Sequence, residues 1–125
     1  EVQFVLRQSN QFAPSDPSTK EGPELIKPLR EFVAAREWEQ FHTPENLAKS
    51  ISIESAELLE CFQWTDQPVE ARLREELADV LTYAFLLADK MGADPTNLIL
   101  EKLSITESKY PVEKAKGSSA KYDQL

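Results

Sequence analysis

With 125 residues, 41% of them hydrophobic and 29% charged, the chain is sized for one domain around one core. Its formal net charge of −8 argues against a binder of nucleic-acid polymers, whose phosphates want a basic face, and against an anionic membrane surface. No run of about eighteen apolar residues is present, so no membrane span is expected, and an acidic protein that handles anions must bring cations or gather its basic residues locally.

Residues 1–23 hold three prolines, one glycine and several Ser and Asn, and read as an extended arm with "VQFVL" as a short edge strand. The opening "EVQFVLRQSNQFAP" starts with Glu rather than Met and lacks the basic start and long apolar stretch of a signal peptide. Cys61 is the single cysteine and has no internal disulfide partner, which fits a cytoplasmic protein. From about residue 24 the pattern turns helical. Leu29, Phe32, Val33, Arg36 and Phe41 predict a first helix over 28–40, with Pro28 in its first turn. "HTPEN" supplies Thr43 as N-cap and Pro44 at the first helical position of a second helix, over 44–62. Asp66 is the expected cap of a third, over 68–91, which Gly92 terminates. Asp94 and Pro95 start a fourth that runs to about 108 before Pro111. The helical domain is therefore 24–111, followed by a polar, lysine-bearing tail at 112–125. Four helices and short turns predict an all-α, four-helix-bundle-type fold.

The second helix carries an anomaly. On a wheel of about 100° per residue, with Glu54 at zero, Cys61 falls near −20°, Leu47 near +20°, Leu58 near +40° and Ile51 near +60°. Glu54 thus lies inside the apolar stripe, with Glu57 at its edge. On the third helix Leu73, Leu77, Val80, Leu81, Ala84, Leu87, Ala88 and Met91 form a broad apolar face that Glu76, Asp79 and Tyr83 border. Two successive helices each offer an acidic pair at i, i+3. If the two helices pack as antiparallel neighbours, Glu54/Glu57 are expected to face Glu76/Asp79. A lone Glu-x-x-Glu usually marks a solvated face, but a carboxylate inside an apolar stripe is costly unless a basic partner or a bound cation compensates it. Arg36 and Lys49 are the nearest basic candidates. An oxygen-only donor set favours Mg²⁺, with Mn²⁺ as a substitute, over Zn²⁺. A di-iron site of the Glu-x-x-His kind is excluded, because neither pair has a histidine.

The segments "REWEQFHTPENLAKSISIESAELLECFQW", "REELADVLTYAFLLADKMG" and "KYP" together resemble the MazG-like nucleotide pyrophosphohydrolases, within them the small single-domain group that includes the dCTP pyrophosphatases. The resemblance spans about 24–122. It implies an all-α, Mg²⁺-dependent enzyme that converts nucleoside triphosphates to monophosphates and pyrophosphate, with water activated at the metal site. Glu54, Glu57, Glu76 and Asp79 would then be the metal ligands, and one of them the proton acceptor. It implies that Trp38 and Trp64 wall the base pocket, that Tyr83 lies near the sugar, and that Lys102 and Lys109 meet the triphosphate. His42, alone before a helix cap, reads either as a solvated or capping residue or as a further phosphate or base contact. It also implies a homo-oligomer, a dimer or a dimer-of-dimers tetramer, with active sites shared between copies. Leu29 and Thr106 stand where relatives carry His and Asn, so base and sugar preference stay open. The expected role is removal of surplus or non-standard dNTPs. The alternatives are a dUTPase-like or phosphoribosyl-ATP pyrophosphohydrolase-like enzyme, or a non-catalytic helical oligomerisation module with a structural metal site.

Overall fold

A computed structural model describes residues 21–125. Five α-helices follow in order: α1 (Glu21–Ala35), α2 (Pro44–Glu60), α3 (Glu70–Lys90), α4 (Pro95–Lys109) and a short α5 (Val112–Ala115), with 3-10 turns at Glu39–Phe41 and Tyr122–Gln124. The described residues contain no strand, and the architecture is the expected all-α one. The strand expected at "VQFVL" lies outside them.

Where local chemistry sets a helix start, it does so as the sequence reads. The Thr43 hydroxyl accepts from the Asn46 N–H at 3.1 Å ahead of α2, and the Asp94 carboxylate accepts from the Thr96 N–H at 2.8 Å ahead of α4. Asp66, by contrast, does not cap α3. The Thr65 hydroxyl takes the Gln67 N–H at 3.0 Å instead, and the extended Val69 hands the chain into the helix. α1 begins at Glu21, ahead of Pro28, which therefore sits inside the helix rather than in its first turn. The proline ring already has a helical φ but removes one hydrogen bond and crowds the carbonyl four residues before it, while the added turns place Leu25 and Ile26 along a cavity that Phe85 of α3 also lines.

The ends of α1 and α3 share one geometry. Gly92, at φ 68°, donates its N–H to Asp89 O at 3.0 Å while Ala93 N–H reaches Ala88 O at 2.9 Å. Glu37, at φ 56°, donates to Ala34 O at 3.0 Å while Trp38 N–H reaches Val33 O at 3.1 Å. Both are Schellman endings with a left-handed residue just past the helix. The second uses a glutamate, so α1 stops at Ala35 instead of running to 40, and the turn delivers Trp38 and the 3-10 segment to the start of α2.

α2 and α3 pack antiparallel and form the main contact of the chain. At one end Arg72 faces Glu60; at the other His42 meets Tyr83 and Leu47 meets Leu86. α1 lies on the C-terminal half of α3. There Val33, Leu47 and Leu86 make the buried centre, with Leu29, Tyr83 and Leu87 packed around it, and Leu47 is only 1% exposed. The Arg30 guanidinium fixes this crossing with a two-pronged ion pair to Asp89, one prong being Nε to Oδ2 at 2.9 Å. The pairing holds the Asp89 carboxyl below its ordinary pKa.

The broad apolar face expected on α3 divides in two. Leu73, Glu76, Val80, Tyr83 and Leu87 are half-buried along one stripe, whereas Leu77, Leu81 and Met91 are exposed. Glu76 thus shares the packed stripe instead of bordering it, because α2 approaches from that side. α4 packs closely against none of the other described helices and leaves Leu98, Ile99, Leu100, Leu103 and Ile105 exposed. The tail after it folds back. Gly117 reverses the chain at φ 77°, and the Tyr122 ring meets that of Tyr110 edge-on at 6.2 Å.

Candidate metal centre

The antiparallel pairing of α2 and α3 lays the two acidic pairs against each other. Each of Glu54, Glu57, Glu76 and Asp79 contributes a carboxylate oxygen, and the four atoms lie within 4.8 Å of one another. Glu54, Glu57 and Glu76 are half-buried and Asp79 is exposed, so the cluster opens to solvent on one side. Oε2 of Glu54 and Oε2 of Glu76 are buried with no hydrogen-bond partner. Loss of hydration is the main reason the Glu54 carboxyl is pushed above its ordinary value, followed by the neighbouring Glu57 carboxylate and then the charges of Asp79 and Glu76. The same cause, then Glu57 and Asp79, raises Glu76, and Arg72 offsets it only in part.

Neither basic residue singled out by the sequence compensates this charge. Lys49 pairs with Glu45 one turn away at 3.5 Å. Arg36 donates to Phe32 O at 3.1 Å and stacks its guanidinium 3.7 Å over the Phe32 ring. The cation that Glu76 does feel is Arg72, one turn before it on α3, and that i, i+4 spacing was visible in the sequence. Two orphaned buried oxygens among four converging carboxylates match what a hard divalent cation takes: several oxygen ligands in a small space. The residues fit Mg²⁺ or Mn²⁺.

Around this centre the structure joins some of the expected substrate residues and not others. Trp38 and His42 rings lie 6.5 Å apart, and His42 and Tyr83 6.4 Å apart, with Phe32 edge-on to Trp38 at 5.6 Å. These rings form a continuous aromatic run that ends one helical turn beyond Asp79. Trp64 is not part of it: it follows the far end of α2 and is 89% exposed. Lys102 and Lys109 sit on the loosely packed α4. Lys109 ends over the ring of Tyr122, its Nζ 4.8 Å from the centroid. The sequence reading missed Tyr122, because its contact with Lys109 depends on the path of the tail.

The MazG-like family profile matches residues 49–125, a span that includes all four carboxylates. The chain belongs to the MazG-like family. Among curated relatives, human (Homo sapiens) dCTP pyrophosphatase 1 is 44% identical over 105 residues, covering 76% of this chain and 62% of that protein. The rat (Rattus norvegicus) dCTP pyrophosphatase 1 is 41% identical over the same length. This MazG-like chain thus spans 62% of the length of the curated relatives it matches. The crystal structure of a pyrophosphatase from Archaeoglobus fulgidus DSM 4304 superposes with a TM-score of 0.67 at 44% identity, covering 70% of this chain and 90% of that one.

Proposed function

We propose that this MazG-like protein is a Mg²⁺-dependent nucleoside triphosphate pyrophosphohydrolase that converts dNTPs to dNMPs and pyrophosphate and clears surplus or non-standard nucleotides. The observation that carries this reading is the four-carboxylate cluster with its two unpartnered buried oxygens. The dCTP pyrophosphatase relatives support the substrate class and make dCTP the first nucleotide to test. The catalytic unit runs to residue 111 and takes in the whole of α1 from Glu21, so the arm expected at 1–23 shortens to the residues before that helix; the tail is 112–125, and the lone, buried Cys61 suits a cytoplasmic setting.

In this reading Glu54, Glu57, Glu76 and Asp79 hold the divalent ions, which when bound screen the triphosphate and acidify a water. One of the same four carboxylates receives the proton. Trp38, His42 and Tyr83 present ring faces and polar atoms beside the cluster to orient base and sugar. Lys102 and Lys109 supply positive charge to the phosphates.

Trp64 takes part only if a second copy is present. It and Trp38 flank opposite ends of the 17-residue α2, roughly 25 Å apart along the helix axis. Rings stack at about 4.5–7 Å. Both tryptophans can wall one pocket only across an interface. The exposed apolar residues of α4 and of the outer face of α3 supply such an interface in a homo-oligomer, a dimer or dimer of dimers.

The test is product analysis on a panel of dNTPs and modified dNTPs with Mg²⁺ present. Equimolar pyrophosphate and monophosphate are expected. Release of inorganic phosphate alone, or no turnover of any nucleotide, overturns the reading. Trp fluorescence gives a second readout, since nucleotide with Mg²⁺ quenches an aromatic pocket and leaves a non-catalytic helical module unchanged.

A further inference from the structure

Lys109 is the last residue of α4, and among the described residues no carboxylate lies within ion-pair distance of it. Its ammonium rests instead 4.8 Å over the ring of Tyr122. Three features hold that ring in place. Gly117, in a left-handed conformation at φ 77°, lets the tail reverse direction. The Tyr122 N–H then donates to the Tyr110 hydroxyl at 3.3 Å. The two tyrosine rings meet edge-on, 6.2 Å apart and 79° inclined. The tail is thereby latched back onto the end of the helix that carries Lys109.

The choice of an aromatic partner has a chemical consequence. A carboxylate would neutralise the ammonium and occupy one or more of its three N–H donors. A ring face attracts the cation through its quadrupole while leaving the donors on the opposite side free and the charge intact. Lys109 is therefore restrained in place and still able to meet an anion. A lysine on an exposed helix end without such a partner would have to lose its rotamer freedom at the moment of binding.

We propose that Tyr122 is a positioning residue that aims the Lys109 ammonium at the phosphates of the substrate and of the pyrophosphate product. This rests on the pyrophosphohydrolase reading above, both for the identity of the anion and for the placing of Lys109 at it. An exposed ammonium–ring contact sets the expected size of the effect at about two- to fivefold in affinity.

The experiment is titration of the full chain with inorganic pyrophosphate and Mg²⁺ by calorimetry, alongside steady-state kinetics on dCTP. Tyr122→Leu weakens pyrophosphate binding and raises KM by about two- to fivefold while kcat stays unchanged. Tyr122→Phe, which keeps the ring and the tail's backbone bond to Tyr110, restores both values. In a Lys109→Ala background, Tyr122→Leu causes no further loss. An unaltered KM and pyrophosphate affinity in Tyr122→Leu, failure of Tyr122→Phe to restore them, or full additivity with Lys109→Ala each overturns the proposal. If no dNTP is turned over but the pyrophosphate series follows the expected pattern, the enzymatic reading fails and the role of Tyr122 stands. If dNTPs are turned over and Lys109→Ala binds pyrophosphate like the parent, the reverse holds.

Discussion

The acidic cluster between α2 and α3 and the exposed surface of α4 are opposite faults in the same chain. In the first, four carboxylates converge and two of their oxygens are buried without a partner. In the second, Ile99, Leu100, Leu103 and Ile105 stand in water on a helix that packs closely against none of the other described helices. Neither arrangement is favourable in an isolated chain. The cluster lacks positive charge and the helix lacks apolar surface. In the function proposed above, a small hard cation completes the first and another protein surface completes the second. The comparison teaches that a fold can be legible in the sequence while its unbalanced charge and its uncovered apolar surface point beyond the single chain.

The sharpest way to break this comparison is at the cluster. Glu54→Gln removes one ligand and is expected to lower kcat by about a hundredfold or more, since a lost metal contact is worth several kcal/mol of transition-state stabilisation. The same change relieves repulsion, so the metal-free variant melts no lower than the parent. An active Glu54→Gln enzyme would remove the metal role assigned to Glu54. Next comes the apolar helix. Ile99→Glu with Leu103→Glu should leave the chain folded, because neither side chain is buried, yet dissociate the oligomer. Sedimentation velocity decides this: a parent already monomeric at micromolar concentration would contradict the interface.

The pH dependence of stability sharpens the first half. In the metal-free protein the Glu54 and Glu76 carboxyls are raised above the ordinary value of 4.5, so the folded state binds more protons than the unfolded one. Stability is then favoured at low pH and declines as pH rises from about 4.5 through the raised folded values. Urea unfolding with chelator present should show that decline, and it should shrink in Glu54→Gln and when Mg²⁺ is restored. A parent and variant with parallel pH profiles would remove the burial argument. The smallest effects concern helix ends. Thr43→Ala should cost about 1 kcal/mol of unfolding free energy by loss of the cap. Gly92→Ala should cost a similar amount, about 1 kcal/mol, because an added Cβ meets no neighbour and only the backbone conformation opposes it. Glu37→Gly should act in the other direction, since its left-handed φ of 56° is a strained one for glutamate.

The amino-acid sequence by itself determined that this chain is all-α, where α2 and α4 begin, where α3 ends, and which four carboxylates belong together. Those features are written in local terms: a hydroxyl or carboxylate before a proline, a glycine after a helix, an acid at the wrong point of an apolar period. The tertiary structure alone decided that α1 stops at a glutamate, that Glu76 lies in the packed stripe of α3, that Arg36 turns away onto Phe32, and that Lys109 rests on Tyr122. Each of these depends on which helix approaches from which side. A periodic pattern states that a face is apolar and leaves open what will cover it, because hydrophobic burial has no direction of its own until a second surface supplies one.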